Sequence, residues 1–199
     1  ISFPIILAGI SETIVDITDT IFLAHYGITE LAAIGVADAI FGLALFLSLG
    51  LVDGIQIIIG RRSGQDQSGE IGRIFNKRLY LLTISSVALI FIIIFIVPGL
   101  TTNVFASANV HAAVNTYLEI AAYALLFQSF NLAYSAFYVG IAHTKILIGA
   151  AVVLAITNIT LDYILIFGHL GFPELGIQGA AIASLIAEIA TFLFLTLDV

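Results

Sequence analysis

Cysteine and methionine are absent from the 199 residues, proline occurs three times, and only six residues are basic. Without cysteine, disulfides and thiol or Cys-metal chemistry are excluded. Charge is scarce as well: 10% of residues are charged and 61% hydrophobic, with a mean hydropathy of +1.17. Those values lie far outside the range of soluble domains and describe an integral membrane protein. No phosphate loop, dinucleotide fingerprint or nucleophile elbow occurs, so the chain is not read as an enzyme, and no cofactor is expected. The basic residues between 61 and 78 are too sparse for nucleic acid and fit contact with anionic lipid. The first residues already lie in an apolar run, so the chain is expected to be part of a longer protein.

About 20 apolar residues are needed to cross ~30 Å of hydrocarbon. Six candidates satisfy this, at about 3–24, 31–59, 77–97, 113–139, 146–168 and 175–197. Short alternating segments with regular turns, the mark of a membrane barrel, are missing, so the spans are helices and the fold class is all-α. Arg61, Arg62, Arg73, Lys77, Arg78 and Lys145 fall in or beside just two connections, after the second and fourth spans. The positive-inside rule makes those connections cytoplasmic, and with them both chain ends.

The acids do not follow the loops. Counting 1.5 Å per residue from the outer helix ends, Asp19, Asp38, Glu119 and Asp162 all fall ~9 Å below the boundary, and Asn158 and Ser184 ~14 Å. Glu12, Asp16 and Asp19 share one face of the first helix at i, i+4 and i+7, and Asn158 and Asp162 stack at i, i+4 on the fifth. An ionised group at mid-membrane costs at least ~2.5 to 3.5 kcal/mol, so these faces look into a bundle interior or a wet cavity. A carboxyl so placed is a natural seat for a proton or a small cation. Asp38 and Glu119 fit either cavity lining or local hydrogen bonding. Glu188 and Asp53, nearer the basic loops, are read as solvated or ion-paired helix ends. Glu12 has no assignable partner.

Other residues carry plainer readings. His25, His111, His143 and His169 sit at loop edges with no metal-ligand spacing. Phe127, Phe130, Tyr134 and Phe137 are read as packing, although an organic cation would be drawn to such faces. Gly42, Gly50, Gly54 and Gly60 are expected to allow close helix contact or flexing in the second span, and Pro98 to end the third helix.

Several blocks in order carry a family resemblance. DTIFLAHYGITELAAIG (19–35), GRRSGQDQSGEIGRIF (60–75), YLEIAAYALLFQSF (117–130), FYVGIAHTK (137–145) and above all NITLDYILIFGHLGFPELGIQGAAIAS (158–184) are similar to the multidrug and toxic compound extrusion (MATE) transporters. The resemblance implies a twelve-helix protein of two six-helix lobes, with residues 1–199 as the amino-terminal lobe and the carboxyl-terminal lobe beyond this chain. It implies a bacterial plasma-membrane antiporter that exports organic, often cationic and amphiphilic compounds by alternating access, driven by protons or sodium ions. In the DNA-damage-inducible branch the cation site matches Asp19, Asn158, Asp162 and Ser184 here, the last usually Thr. Ala24, where Gly is frequent, and His143 depart from the family pattern without touching that site.

Carboxylate, amide and hydroxyl oxygens are hard ligands that suit sodium, and the same carboxyls could take a proton. Asp16, Asp38 and Glu119 are candidate accessory cavity acids. Lipid-linked oligosaccharide flippases of the same superfamily are one rival, for which a more basic cavity is expected, and a passive cation channel is another. An intramembrane aspartyl protease is disfavoured, because Asp162-Tyr163 has no partner Gly-x-Gly-Asp.

Overall fold

The computed structural model of the chain describes residues 2–65, 68–102 and 107–197. Among these residues there is no strand. The long helices are α1 (Ser2–Tyr26), α2 (Ile28–Ser63), α3 (Ser68–Phe91), α4 (Ala108–Gly140), α5 (Ile146–Phe167) and α6 (Ile177–Thr196). The chain is therefore an all-α protein, and α2 to α6 are each long and apolar enough to cross a membrane. At 25 residues, α1 is long enough too, since a rise of 1.5 Å per residue makes it about 38 Å. Its acids alone set it apart. Ile10, Ile14, Ile17 and Ile21 are all about half exposed, and helical periodicity puts them opposite Glu12, Asp16 and Asp19. One side of α1 is thus built for lipid and the other for a polar interior.

The packing pairs are α1 with α5, α5 with α6, α6 with α4 and α4 with α2, and a lighter contact of α1 with α2 closes the circuit. Five helices form a ring, and α3 stands outside it against α2 and α4. Small residues let the ring close near the α1–α2 turn: Ala33 and Ala37 of α2, Ala121 and Ala122 of α4, and Ala180 and Ala181 of α6 are buried there around Leu23, Leu118 and Ile166. Towards the other end, Phe75 and Leu82 of α3 pack on Ile55, Ile59, Ala133 and Ala136. Between the two, Ser129 donates to Ser48 at 3.3 Å, joining α4 to α2 through two fully buried hydroxyls.

The α5–α6 connection explains the Gly176-x-x-Gly179-Ala180-Ala181 run. Gly176 takes φ of 53° against the ring of Tyr26, and a Cβ at Gly179 would lie 2.6 Å from the Leu165 carbonyl carbon. Only glycine allows α6 to start this close to the backbone of α5. Leu175 and Gly176 also donate backbone hydrogen bonds to Leu165 and Ile166 at 3.0 and 3.2 Å, so the connection folds back onto the end of α5.

One expectation about the helices needs correction and another narrows. Pro98 does not end the third helix: α3 runs on through a π-helical segment, Ile92–Ile96, into a last turn, Val97–Thr101, that contains the proline. A π turn shifts the hydrogen-bond register, and proline is tolerated in the first turn of the segment that follows, where a missing N–H costs little. Of the glycines in α2, Gly42, Gly50 and Gly54 meet nothing within 4 Å, and only Gly60 nears another helix backbone, at Gly140.

Candidate cation site in the helix ring

The ring lines a half-open cavity of about 380 Å³, with walls from α1, α2, α4, α5 and α6. From α1 come Glu12, Asp16 and Asp19, the stacked face expected from their spacing. Asp38 contributes from α2, Asn158 from α5, and Ser184 and Glu188 from α6. The face of α4 turned to the cavity is Tyr117, Ala121, Ala124 and Gln128, at intervals of four, three and four residues.

Asp19, Asn158, Asp162 and Ser184 converge. The carboxyls of Asp19 and Asp162 lie within hydrogen-bonding reach of each other, and Asn158 is within reach of Asp19. Nδ2 of Asn158 donates to Oγ of Ser184 at 3.3 Å. Asp162 is fully buried, and Asn158 and Asp19 are 1% and 8% exposed. Asp162 does not itself border the cavity, so Asp19 and Asn158 stand as its contact with that space.

The buried oxygens left over define the chemistry. Both carboxylate oxygens of Asp162, Oδ1 of Asp19 and Oδ1 of Asn158 receive no hydrogen bond. All are acceptors, and buried acceptors without donors are costly. Two facing carboxylates also repel unless positive charge lies between them. A proton on the pair, or a small hard cation held by carboxylate, amide and hydroxyl oxygens, meets both demands. Among the described residues no three His, Cys, Asp or Glu side chains converge as a metal site. The set here is instead two carboxyls, an amide and a hydroxyl.

The accessory acids divide. Asp16 and Asp38 are exposed side chains bordering the cavity, whereas Glu119 is exposed and does not line it. Glu119 has the right depth but sits two residues from Tyr117, about 200° round the helix. Glu188, expected to be a solvated helix end, instead borders the cavity and accepts from Nδ2 of Asn131 at 2.7 Å. Its partner lies 57 residues away on α4, a contact that position along α6 does not reveal. Glu12 borders the same cavity, which gives the unexplained acid of α1 a place.

Tyr117 and Gln128 of the cavity wall do not stand out in the sequence as the acids do. Tyr117 is 7% exposed and its side chain lies within hydrogen-bonding reach of Ser184, with Asp19, Asp38 and Asp162 nearby. The available signal was their spacing of eleven residues, three helical turns on one face. The aromatic set is packing: Phe127, Phe130 and Tyr134 close around Phe192 with centroids 5.5 to 5.9 Å apart, and Phe137 meets Phe75 at 5.0 Å. The histidines take local roles, His25 on the Ile21 carbonyl at 2.8 Å and His169 stacked on Tyr163 at 4.2 Å.

The profile of the MatE family matches residues 4–164. The probable multidrug resistance protein NorM of Rhizobium meliloti is 28% identical over 92% of this chain and 39% of its own length. The probable multidrug resistance protein YoeA of Bacillus subtilis is 28% identical over 96% of this chain and 42% of its own length. A multidrug resistance MATE family transporter of the MOP superfamily, solved in an outward-facing conformation, superposes with a TM-score of 0.88 at 26% identity, over 98% of this chain and 42% of that one. The chain thus spans about two fifths of the length of these relatives.

Proposed function

The chain belongs to the MatE family, and from that premise we propose that it is the amino-terminal lobe of a secondary active antiporter. The whole transporter exports organic, often cationic and amphiphilic compounds in exchange for protons or sodium ions by alternating access. It resides in the bacterial plasma membrane with its amino end cytoplasmic, works against a carboxyl-terminal lobe of the same protein, and contacts membrane lipid.

The observation that carries this reading is Asp162: fully buried, facing Asp19, with no hydrogen bond to either carboxylate oxygen. Such a group is expensive to keep inside a membrane and marks an ion or proton pathway. Asp19 and Asp162 take the coupling cation, whichever of the two ions it is. Asn158 and Ser184 hold the site in place through their own hydrogen bond and present an amide oxygen to it. Filling the site removes the repulsion between α1 and α5, and emptying it restores that repulsion. The packing of α1 is then the element with two states that coupling requires.

The test is efflux of an organic cation from vesicles bearing the intact protein, under an imposed proton or sodium gradient, for wild type, Asp19→Asn and Asp162→Asn. Gradient-driven efflux is expected in the wild type and at background in both variants. Unchanged efflux in the variants would remove the site assignment.

A further inference from the structure

α3 stands outside the ring, and its two sides differ. Ile71, Phe75, Leu82 and Ser86 are buried, and at about 100° per residue they fall within roughly 60° of arc. On the opposite side lie Arg73, Lys77, Tyr80, Ile84, Val87 and Phe91, all within about 40° of one line along the helix. Arg73 and Lys77 are exposed, and the other four are each more than half exposed. The stripe thus runs from two cations through a tyrosine to a purely apolar stretch.

That order has the dimensions of one membrane leaflet. From Tyr80 to Phe91 the helix rises about 17 Å, close to half of the ~30 Å hydrocarbon core. Tyrosine favours the boundary between hydrocarbon and headgroups, so Arg73 and Lys77, one turn apart, stand at headgroup level. The neighbouring basic residues are placed differently. Arg61 and Arg62 belong to α2, with Arg62 reaching Glu70 at 3.4 Å, and Arg78 is turned about 140° from the stripe. Glu70 also lies 3.8 Å from Arg73, well beyond the about 2.7 to 2.9 Å of a charge-assisted hydrogen bond. Such a pair between exposed side chains holds weakly. Lys77 has no ion pair among the described residues.

We propose that this stripe binds one anionic phospholipid, its phosphate held between Arg73 and Lys77 at the level of Tyr80 and an acyl chain lying along Ile84, Val87 and Phe91. This deepens the lipid contact stated above by naming the class of lipid and its place, and it rests on the membrane placement of α3 alone. A free phosphate would satisfy the cations but leave the apolar wall unused. A zwitterionic lipid would cover the wall but bring a cation of its own to the two already there. Each basic residue at the surface favours the anionic lipid about fivefold.

This lobe holds no tryptophan, so Val87→Trp in the intact protein places a fluorescent reporter on the stripe, with the unsubstituted protein as background. The experiment is quenching of that reporter in phosphatidylcholine vesicles by brominated-acyl phosphatidylglycerol or brominated-acyl phosphatidylcholine. Half-quenching is expected at a mole fraction of phosphatidylglycerol about tenfold or more below that of phosphatidylcholine. With Arg73→Gln and Lys77→Gln added, the ratio is expected to fall to within about twofold. Lys145→Gln, which removes the same charge from the connection after α4, should leave it unchanged. The ratio, unlike either value, is unmoved by a general loss of folded protein. Equal quenching by both lipids, a ratio that survives loss of Arg73 and Lys77, or an equal fall in Lys145→Gln would overturn the proposal. So would competition by glycerol phosphate that abolishes the difference, or no quenching by either lipid, which would show this face covered by protein. Quenching is read without substrate or gradient, so none of these failures touches the efflux reading.

Discussion

Asn158 on α5 donates to Ser184 on α6 at 3.3 Å, one helical turn from the fully buried Asp162. This contact joins the two helices at the level of the acid pair and leaves the Asn158 amide oxygen without a donor. Ser184→Ala removes this acceptor of Nδ2 and weakens the joint between the two helices, which is expected to cost about 1 kcal/mol. Ser184→Thr keeps the hydroxyl and is expected to melt close to wild type. Thermal unfolding of the purified intact protein checks the pair; equal melting of the alanine and threonine variants would show the contact to be idle.

Asp162→Asn is expected to uncouple the protein without unfolding it. The substitution keeps the volume of Asp162, removes one of two facing carboxyls and brings a donor to oxygens that now have none. Stability in cation-poor buffer should rise by about 1 kcal/mol or more, because a repelling buried group has been neutralised. At the same time the gain in melting temperature expected of the wild type on adding the coupling cation, which follows mass action, should vanish. A variant that is destabilised, or that still responds to the cation, would contradict this account of the site.

Much of this arrangement was legible because polar groups in an apolar helix stand out, and helical period gives them direction. Glu12, Asp16 and Asp19 on one face of α1, and Asn158 with Asp162 on α5, were readable in that way. Depth alone was a weaker guide: Glu119 has the depth of Asp19 but the wrong azimuth on α4. Glu188 is not legible in this way, because its environment is set by Asn131, 57 residues away, and no local pattern encodes that contact. The π turn before Pro98 was hidden for a similar reason, since the run Ile92–Ile96 looks like ordinary helix until the proline's missing donor is accommodated.

Gly179 and Gly42 should respond oppositely to the same change. A Cβ at Gly179 would come within 2.6 to 2.8 Å of backbone atoms of Leu165 and Ile166, which cannot turn aside as a flexible side chain can. Gly179→Ala therefore forces α6 away from α5 and is expected to cost about 1 to 3 kcal/mol. Gly42 borders the cavity with nothing within 4 Å of a Cβ. Gly42→Ala should be neutral or slightly stabilising, as alanine is the better helix former by about 1 kcal/mol. Melting temperatures of the two variants decide the matter, and a tolerated Gly179→Ala would mean that α5 and α6 do not pack as described.

Tyr117 and Glu119 separate the two faces of α4. Tyr117 is buried at the cavity wall, in reach of Ser184 and near Asp19, Asp38 and Asp162, so its hydroxyl is placed to hydrogen-bond into the acid layer. Tyr117→Phe keeps the ring and its packing, so the fold should survive, while the lost hydroxyl is expected to weaken cation binding about 5- to 10-fold, the effect of roughly 1 kcal/mol. Glu119 is exposed on another side of the helix and borders no part of the cavity. Glu119→Gln should leave the cation concentration giving half-maximal efflux unchanged. Measuring that concentration for both variants at a fixed gradient tests the azimuth of α4 directly: a shift in Glu119→Gln with none in Tyr117→Phe would mean that the opposite face of the helix meets the cation.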